Sequence, residues 1–207
     1  MVVLNNGQTG AVTFIGTVSP AGGNLEEPVT ESTKKAARCF YALEQNRADQ
    51  KRYPAVGPLD SYSKYLDYPE IKEYLDQTVE KGWVEKVLQA KNIIRRGKEA
   101  SEQINILGDD GVPMSYHVNF WKSELVDFVI LQQDAFDAID ALCPLERQRF
   151  MLDLVLEICD KDYEFEDFEK CREFFKNLIN ELRQMNYSAY ESEQFWAYNE
   201  TVKKLIA

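Results

Sequence analysis

Along most of this chain apolar residues recur at the three-to-four spacing of an amphipathic helix, and the opening stretch is the exception. Ala11 to Val18, AVTFIGTV, is short, β-branched and partly alternating, and it predicts one strand. NNGQTG before it reads as a turn. SPAGGNLEEPVT after it reads as a loop carrying Pro20, Gly22, Gly23 and Pro28. Thr30 to Gln50 then predicts a helix, with Thr30 and Thr33 as candidate caps and Ala36, Ala37, Phe40, Tyr41 and Leu43 as its apolar face. A lone strand leaves both edges unpaired, and no second convincing strand occurs before residue 60. The strand is therefore expected to pair with chain outside this sequence or with something less regular, as if the chain began inside a domain.

From Pro69 onward the pattern is helical nearly throughout. A short helix over Glu70–Val79 is stopped by Gly82. Trp83 to Leu107 is longer, with Val84, Val87, Leu88, Ile94 and Ile104 as apolar positions and Gly97 as a weak point. GDDGVP, 108–113, is a break. Lys122 to Leu142 predicts a third helix on the spacing of Leu125, Phe128, Val129, Phe136 and Ile139. Pro144 starts a fourth, Leu145 to Cys159. A fifth runs through Phe168, Cys171, Phe174, Phe175, Leu178, Leu182 and Met185, and a last through Phe195, Tyr198, Val202, Leu205 and Ile206. Short connections make an antiparallel bundle the expected packing.

Charge narrows the list of partners. The net charge of the 207-residue chain is -11. Residues 1–60 are neutral, with six basic and six acidic side chains, so the whole excess lies in 61–207. An acidic second half argues against a nucleic-acid surface and suits either a basic protein partner or plain solubility. No apolar run approaches the 18 or so residues of a membrane span, and MVVLNN lacks the features of a signal peptide. Cys39, Cys143, Cys159 and Cys171 form no CxxC pair and read as buried free thiols, as in a reducing cytoplasm.

Much chemistry is excluded. No G-x-x-x-x-G-K-[ST] and no GxGxxG occurs; Gly97–Lys98 follows IIRR inside a helical pattern. His117 is the only histidine, which rules out any His-His metal site within one chain, and nothing near it resembles a nucleophile elbow. It reads as a surface or packing residue. Asp109–Asp110 and DKDYEFEDFEK, 160–170, do not match calcium-loop spacing, and the second reads as a solvated connection followed by helix-start acids. AGGN, 21–24, reads as a tight turn, with phosphate approach as the other reading. The sequence thus offers no catalytic residue and no metal ligand.

KRYPAVGPLDSYSKY, 51–65, carries more. Pro54 fixes its own φ and pushes Tyr53 toward an extended backbone, and Pro58 does the same to Gly57. Asp60–Ser61 is placed to cap the next turn. A stiffened turn holding Tyr53 results. Its ring either packs in the core or offers a face to a planar ligand.

Three stretches together resemble a known family. VTFIGTVSPAGGNLEEPVTESTKKAARCFYAL from Val12, RYPAVGPLDSYSKY from Arg52, and LVDFVILQQDAFDAID from Leu125 to Asp140 are similar to the C-terminal part of the catalytic A (alpha) subunit of V-type and A-type rotary ATPases. The resemblance covers essentially residues 11–207. It implies a mainly α fold: an antiparallel helical bundle, 62–207, preceded by a strand-loop-helix remnant of an α/β nucleotide-binding domain, 1–61. It implies a cytoplasmic location, peripheral to a membrane in the V1/A1 sector, with B subunits of an alternating hexameric ring and central-stalk subunits as partners. It implies ATP or ADP with Mg²⁺ in the full-length subunit, where ATP hydrolysis or synthesis is coupled to cation transport.

By that resemblance Tyr53 matches the aromatic residue lying over the adenine ring, with Pro54, Ala55 and Val56 as support beside it. Phe40 falls on a helix packed behind this region, and the Pro20–Gly23 loop on a subunit interface. Gly57 stands where the family often has Asn. The P-loop, the carboxylate that positions water and the Mg²⁺ ligands are missing, and are expected upstream of residue 1. The chain by itself is then expected neither to hydrolyse ATP nor to bind nucleotide tightly. The alternative reading is a stand-alone, non-catalytic helical interaction module.

Overall fold

The computed structural model describes residues 5–207 and, as backbone, Val2 and Val3. The chain forms two units, Met1–Ala37 and Arg38–Ala207.

In the first unit β1, Val2–Val3, pairs antiparallel with β2, Thr9–Gly10; of the NNGQTG expected as a turn, Asn5–Gly7 turn and Thr9–Gly10 are strand. The strand expected over 11–18 is not one. The segment has no ladder partner among the described residues, and Phe14 and Ile15 are each 91% exposed. Sequence propensity alone cannot satisfy a strand's backbone; it needs a neighbour. AGGN does form a tight turn, a 3₁₀ turn over Ala21–Gly23 with Gly22 and Gly23 at φ 64° and 72°. Helix α1 runs Pro28–Ala36. Its cap is neither Thr30 nor Thr33 but Glu27, whose Oε1 accepts from the Thr30 amide at 3.3 Å and the Thr30 hydroxyl at 3.0 Å.

The helix expected through Gln50 ends at Ala36. The chain beyond it is extended: β3, Cys39–Phe40, pairs antiparallel with β4, Tyr62–Ser63. Phe40 therefore sits on a strand beside the Tyr62 ring, 5.9 Å between centroids, and not on a helix. Ala42–Glu44 also bond to residues 55–57 and to Ser61. These long-range bonds outweigh the local helical preference of 37–44. Only a short α2, Gln45–Asp49, remains.

The bundle keeps more closely to the hydrophobic rhythm. α3 spans Pro69–Thr78, and α4 spans Trp83–Leu107, entered through Gly82 at φ 82°. A 3₁₀ turn at Asp109–Gly111 reverses the chain into α5, Met114–Val126. α5 begins eight residues earlier than the pattern predicts and runs into one π-helical stretch, Asp127–Leu131. Residues 132–144 then leave the helix altogether. α6, Leu145–Asp160, α7, Phe168–Asn186, and α8, Glu193–Leu205, complete the unit. Their apolar stripes meet in one core: Leu125, Val126, Val155, Ile158, Phe175, Leu178, Leu182, Phe195 and Val202 have essentially no exposure. Each such side chain contributes ~1.5–3 kcal/mol on burial.

His117 is a packing residue. It is buried, stacks on Phe168 with centroids 5.6 Å apart, and its Nε2 lies 2.9 Å from the Asp109 carbonyl. All four cysteines are free, but only Cys159 and Cys171 are buried; Cys39 and Cys143 are half-buried. Burial pushes the thiols of Cys159 and Cys171 up to about 12, from an ordinary 9.0. Both are therefore neutral at pH 8 and are expected to react with maleimide only on unfolding, as mass-resolved labelling with and without urea will show. The raised values add stability below the ordinary thiol pKa. That contribution is lost as pH rises from about 9 toward about 12.

Candidate nucleotide-facing cleft

The RYPAVG segment is held from two sides. Toward the N-terminal side it bonds to Ala42–Glu44: Glu44 N donates to the Ala55 carbonyl at 2.9 Å, Gly57 N donates to the Ala42 carbonyl at 2.8 Å, and Leu43 bridges Val56. Ser61, expected to cap a turn, uses its hydroxyl here instead, accepting from Ala42 N at 3.0 Å. Gly57 is buried, and a Cβ on it would lie 1.6 Å from the Glu44 carboxylate. Glycine therefore makes room for the Glu44 side chain at this position. Burial, and next the Asp60 charge, raise the Glu44 pKa, while Arg47 pulls the other way.

From the other side comes the segment after α5. Gln133 N donates to the Tyr53 carbonyl at 2.9 Å. Arg52, the residue before Tyr53, anchors the same segment. Its guanidinium meets Glu124 at 2.8 Å and Asp127 at 2.5 Å, and it covers the Phe128 ring at 4.7 Å. Arg47 reaches the other Asp127 oxygen at 2.7 Å. Asp127 thus joins α2 and the RYPAVG turn to the start of the π-helical stretch. Burial works against the Arg52 charge, but Glu124 and Asp127 outweigh it and hold the pKa above its ordinary value.

Held this way, Tyr53 does not pack in the core. It is 54% exposed, and its ring lines a cleft of about 640 Å³ together with Pro54, Phe128, Phe136, Arg183 and Tyr187. The Tyr53–Pro54 peptide is cis. Ala55 lies outside the cleft lining and serves through its carbonyl.

The helical period assigns Phe136 to the apolar face of a helix, and the structure contradicts this. The residue is fully exposed at 101%. Three aspartates turn the chain out of the helix. Asp134 Oδ1 accepts from Phe136 N at 2.9 Å, Asp137 Oδ1 accepts from Ile139 N and Asp140 N, and Asp140 Oδ2 accepts from Asp134 N at 2.6 Å. Buried Arg147 anchors the loop through Asp140 at 3.0 Å and the Ile139 carbonyl at 3.2 Å. The Asp134-x-x-Asp137-x-x-Asp140 spacing is the sequence signal for this loop, since aspartate side chains compete with helix for nearby amides.

The cleft combines aromatic and apolar side chains with polar ones, and its cations Lys51 and Arg183 are matched in number by the carboxylates Asp134 and Asp140, so the lining carries no surplus positive charge. It suits a flat, uncharged ring system better than a polyphosphate. Among the described residues no group of three or more His, Cys, Asp or Glu converges as a metal site.

Comparison with known proteins decides the family. Residues 2–63 match the ATP synthase alpha/beta family, nucleotide-binding domain, and residues 72–166 match the C-terminal domain of V and A type ATP synthase. The chain belongs to the V/A-type ATP synthase alpha-chain family. It is 39% identical over 206 residues to the V-type ATP synthase alpha chain of Protochlamydia amoebophila (strain UWE25), covering 100% of this chain and 34% of that one. Over 209 residues it is 37% identical to the same-named protein of Borrelia duttonii (strain Ly), with the same coverage. The chain thus spans about a third of the length of these relatives. A solved ATP synthase subunit, NeqB from Nanoarcheaum equitans, shares the fold with a TM-score of 0.50 at 19% identity, over 68% of this chain and 33% of that one. Among the described residues no helix of this V/A-type family member is long and apolar enough to cross a membrane.

Proposed function

We propose that this chain is the C-terminal part of the catalytic A subunit of a rotary V/A-type ATPase, and that it supplies the adenine side of the nucleotide site without the phosphate side. The observation that carries this reading is the half-exposed Tyr53 ring on a cleft that also holds Phe136. Residues 1–61 then belong to the nucleotide-binding domain and 62–207 to the helical domain. The β3–β4 pairing explains why residues from 38 onward nevertheless fold with the helices.

In the full-length subunit the ligand is ATP or ADP with Mg²⁺. The chain's own contribution is to hold an aromatic face at a fixed place through Gln133, Arg52 and Asp127. The partners are B subunits of an alternating ring and the central stalk, toward which the helices from residue 69 carry nucleotide state. The complex couples ATP hydrolysis or synthesis to cation transport from the cytoplasmic face, with no nucleic acid bound and no membrane insertion by this chain.

Base stacking is worth ~1–3 kcal/mol, which corresponds to affinity weaker than about millimolar. Adenosine is expected to shift the NMR resonances of Tyr53 and Phe136 without saturating at micromolar concentration. Tyr53→Ala should weaken this roughly tenfold, while Tyr53→Phe keeps it. Absence of any Tyr53-dependent shift at all soluble adenosine concentrations sinks the adenine reading. Saturation by ATP at micromolar concentration, or Mg²⁺-dependent single-turnover hydrolysis, sinks the claim that the phosphate side is absent.

A further inference from the structure

A second cavity, of about 460 Å³, lies between α4, the π-helical stretch and α6. Its volume falls in the range of small-molecule sites, about 300–1,000 Å³. Trp83, Val87, Ile130 and Met151 give it an apolar body. It shares Gln132, Gln133, Asp140 and Asn186 with the Tyr53 cleft, so an occupant of one touches residues that line the other.

Its charged lining is Lys91, Asp140 and Arg147. Asp140 and Arg147 pair with each other at 3.0 Å. Arg147 is 1% exposed, and its Nε has no hydrogen-bond partner among the described residues. Lys91 donates to the Ser61 carbonyl at 3.0 Å, and among the described residues no carboxylate lies within 4.0 Å of its ammonium. The cavity therefore carries one unbalanced positive charge, in a half of the chain that is otherwise acidic. An apolar cavity with one surplus cation complements one kind of molecule best.

We propose that this cavity binds an amphipathic monoanion, a single carboxylate on an apolar body, with the carboxylate against Lys91. The inference is independent of the adenine reading, because it uses neither Tyr53 nor Phe136.

Octanoate, octanol and octylamine are suitable probes, titrated calorimetrically into the 207-residue chain. Octanoate is expected to bind about tenfold more tightly than octanol, the gain from one partly desolvated charge pair. Octylamine should bind more weakly than either. Lys91→Met should bring octanoate down to the level of octanol and leave octanol unchanged. Val87→Phe should fill the cavity and remove both, with circular dichroism checking that each variant is folded. Octanoate should also slow maleimide labelling of Cys143, which lines the cavity, but not of Cys39. Octanoate binding no better than octanol, or selectivity that survives Lys91→Met, overturns the proposal. So does binding that survives a folded Val87→Phe, or Cys143 labelling that octanoate does not slow.

Discussion

Replacing Asp127 with Ala is expected to cost the 38–207 unit about 3–5 kcal/mol of folding stability, the usual loss when one partner of a buried ion pair is removed. Asp127 faces two guanidiniums, Arg47 at 2.7 Å and Arg52 at 2.5 Å, and its side chain is 8% exposed. Arg52 keeps Glu124 after the substitution. Arg47 keeps no carboxylate within 4.0 Å among the described residues, and its Nε is already without a partner there. Most of the loss is therefore the cost of a buried Arg47 charge left with only the more distant Glu44 carboxylate, not the worth of the pair. The comparison that shows this is Asp127→Ala against Arg47→Leu with Asp127→Ala, by urea unfolding. The double variant should recover a large part of the loss. Equal stability of single and double variants would show that the Arg47 charge is not the source.

Gly97→Val is expected to destabilise α4–α5 packing by about 3 kcal/mol, at the upper end of ordinary overpacking. Glycine inside a 25-residue helix costs ~1 kcal/mol in propensity relative to Ala, and by sequence alone a side chain here should help. The packing reverses that sign. A Cβ on Gly97 would sit 2.0 Å from Ser123 Cβ and 3.2 Å from the Asn119 carbonyl oxygen of α5. Neither is the far end of a flexible chain, so the helices must move apart. Ser123→Gly in the same chain removes the nearest atom and should restore part of the melting temperature. If Gly97→Val melts at or above the parent temperature, the close approach of these helices is wrong.

The same opposition between local preference and distant contact explains where sequence and structure part. α4, α6, α7 and α8 are legible because each buries one stripe at helical spacing, and that spacing is local information. Tyr53 as a residue held at a set place is legible too, because Pro54 and Pro58 restrict the backbone directly. The surroundings of Tyr53 are not. Phe136 fits a 3.6-residue period with Leu125, Phe128 and Val129, yet it lies on an exposed loop because Asp140 is claimed by Arg147 from the next helix. Residues 37–44 favour helix locally, and become extended because 55–57 and 62–63 supply backbone partners.

By itself, then, the sequence determined a mainly helical bundle, the absence of a phosphate-binding loop within these residues, and a rigid turn built around Tyr53. Only the tertiary structure decided that the Tyr53 ring faces a cleft, that Phe136 shares it, that Gly97 is a packing contact and that a second cavity with a surplus cation lies behind the loop. The reason is physical. Helix periodicity and proline geometry act over a few residues, whereas ion pairs such as Arg47–Asp127 join positions 80 residues apart, and no local pattern carries that distance.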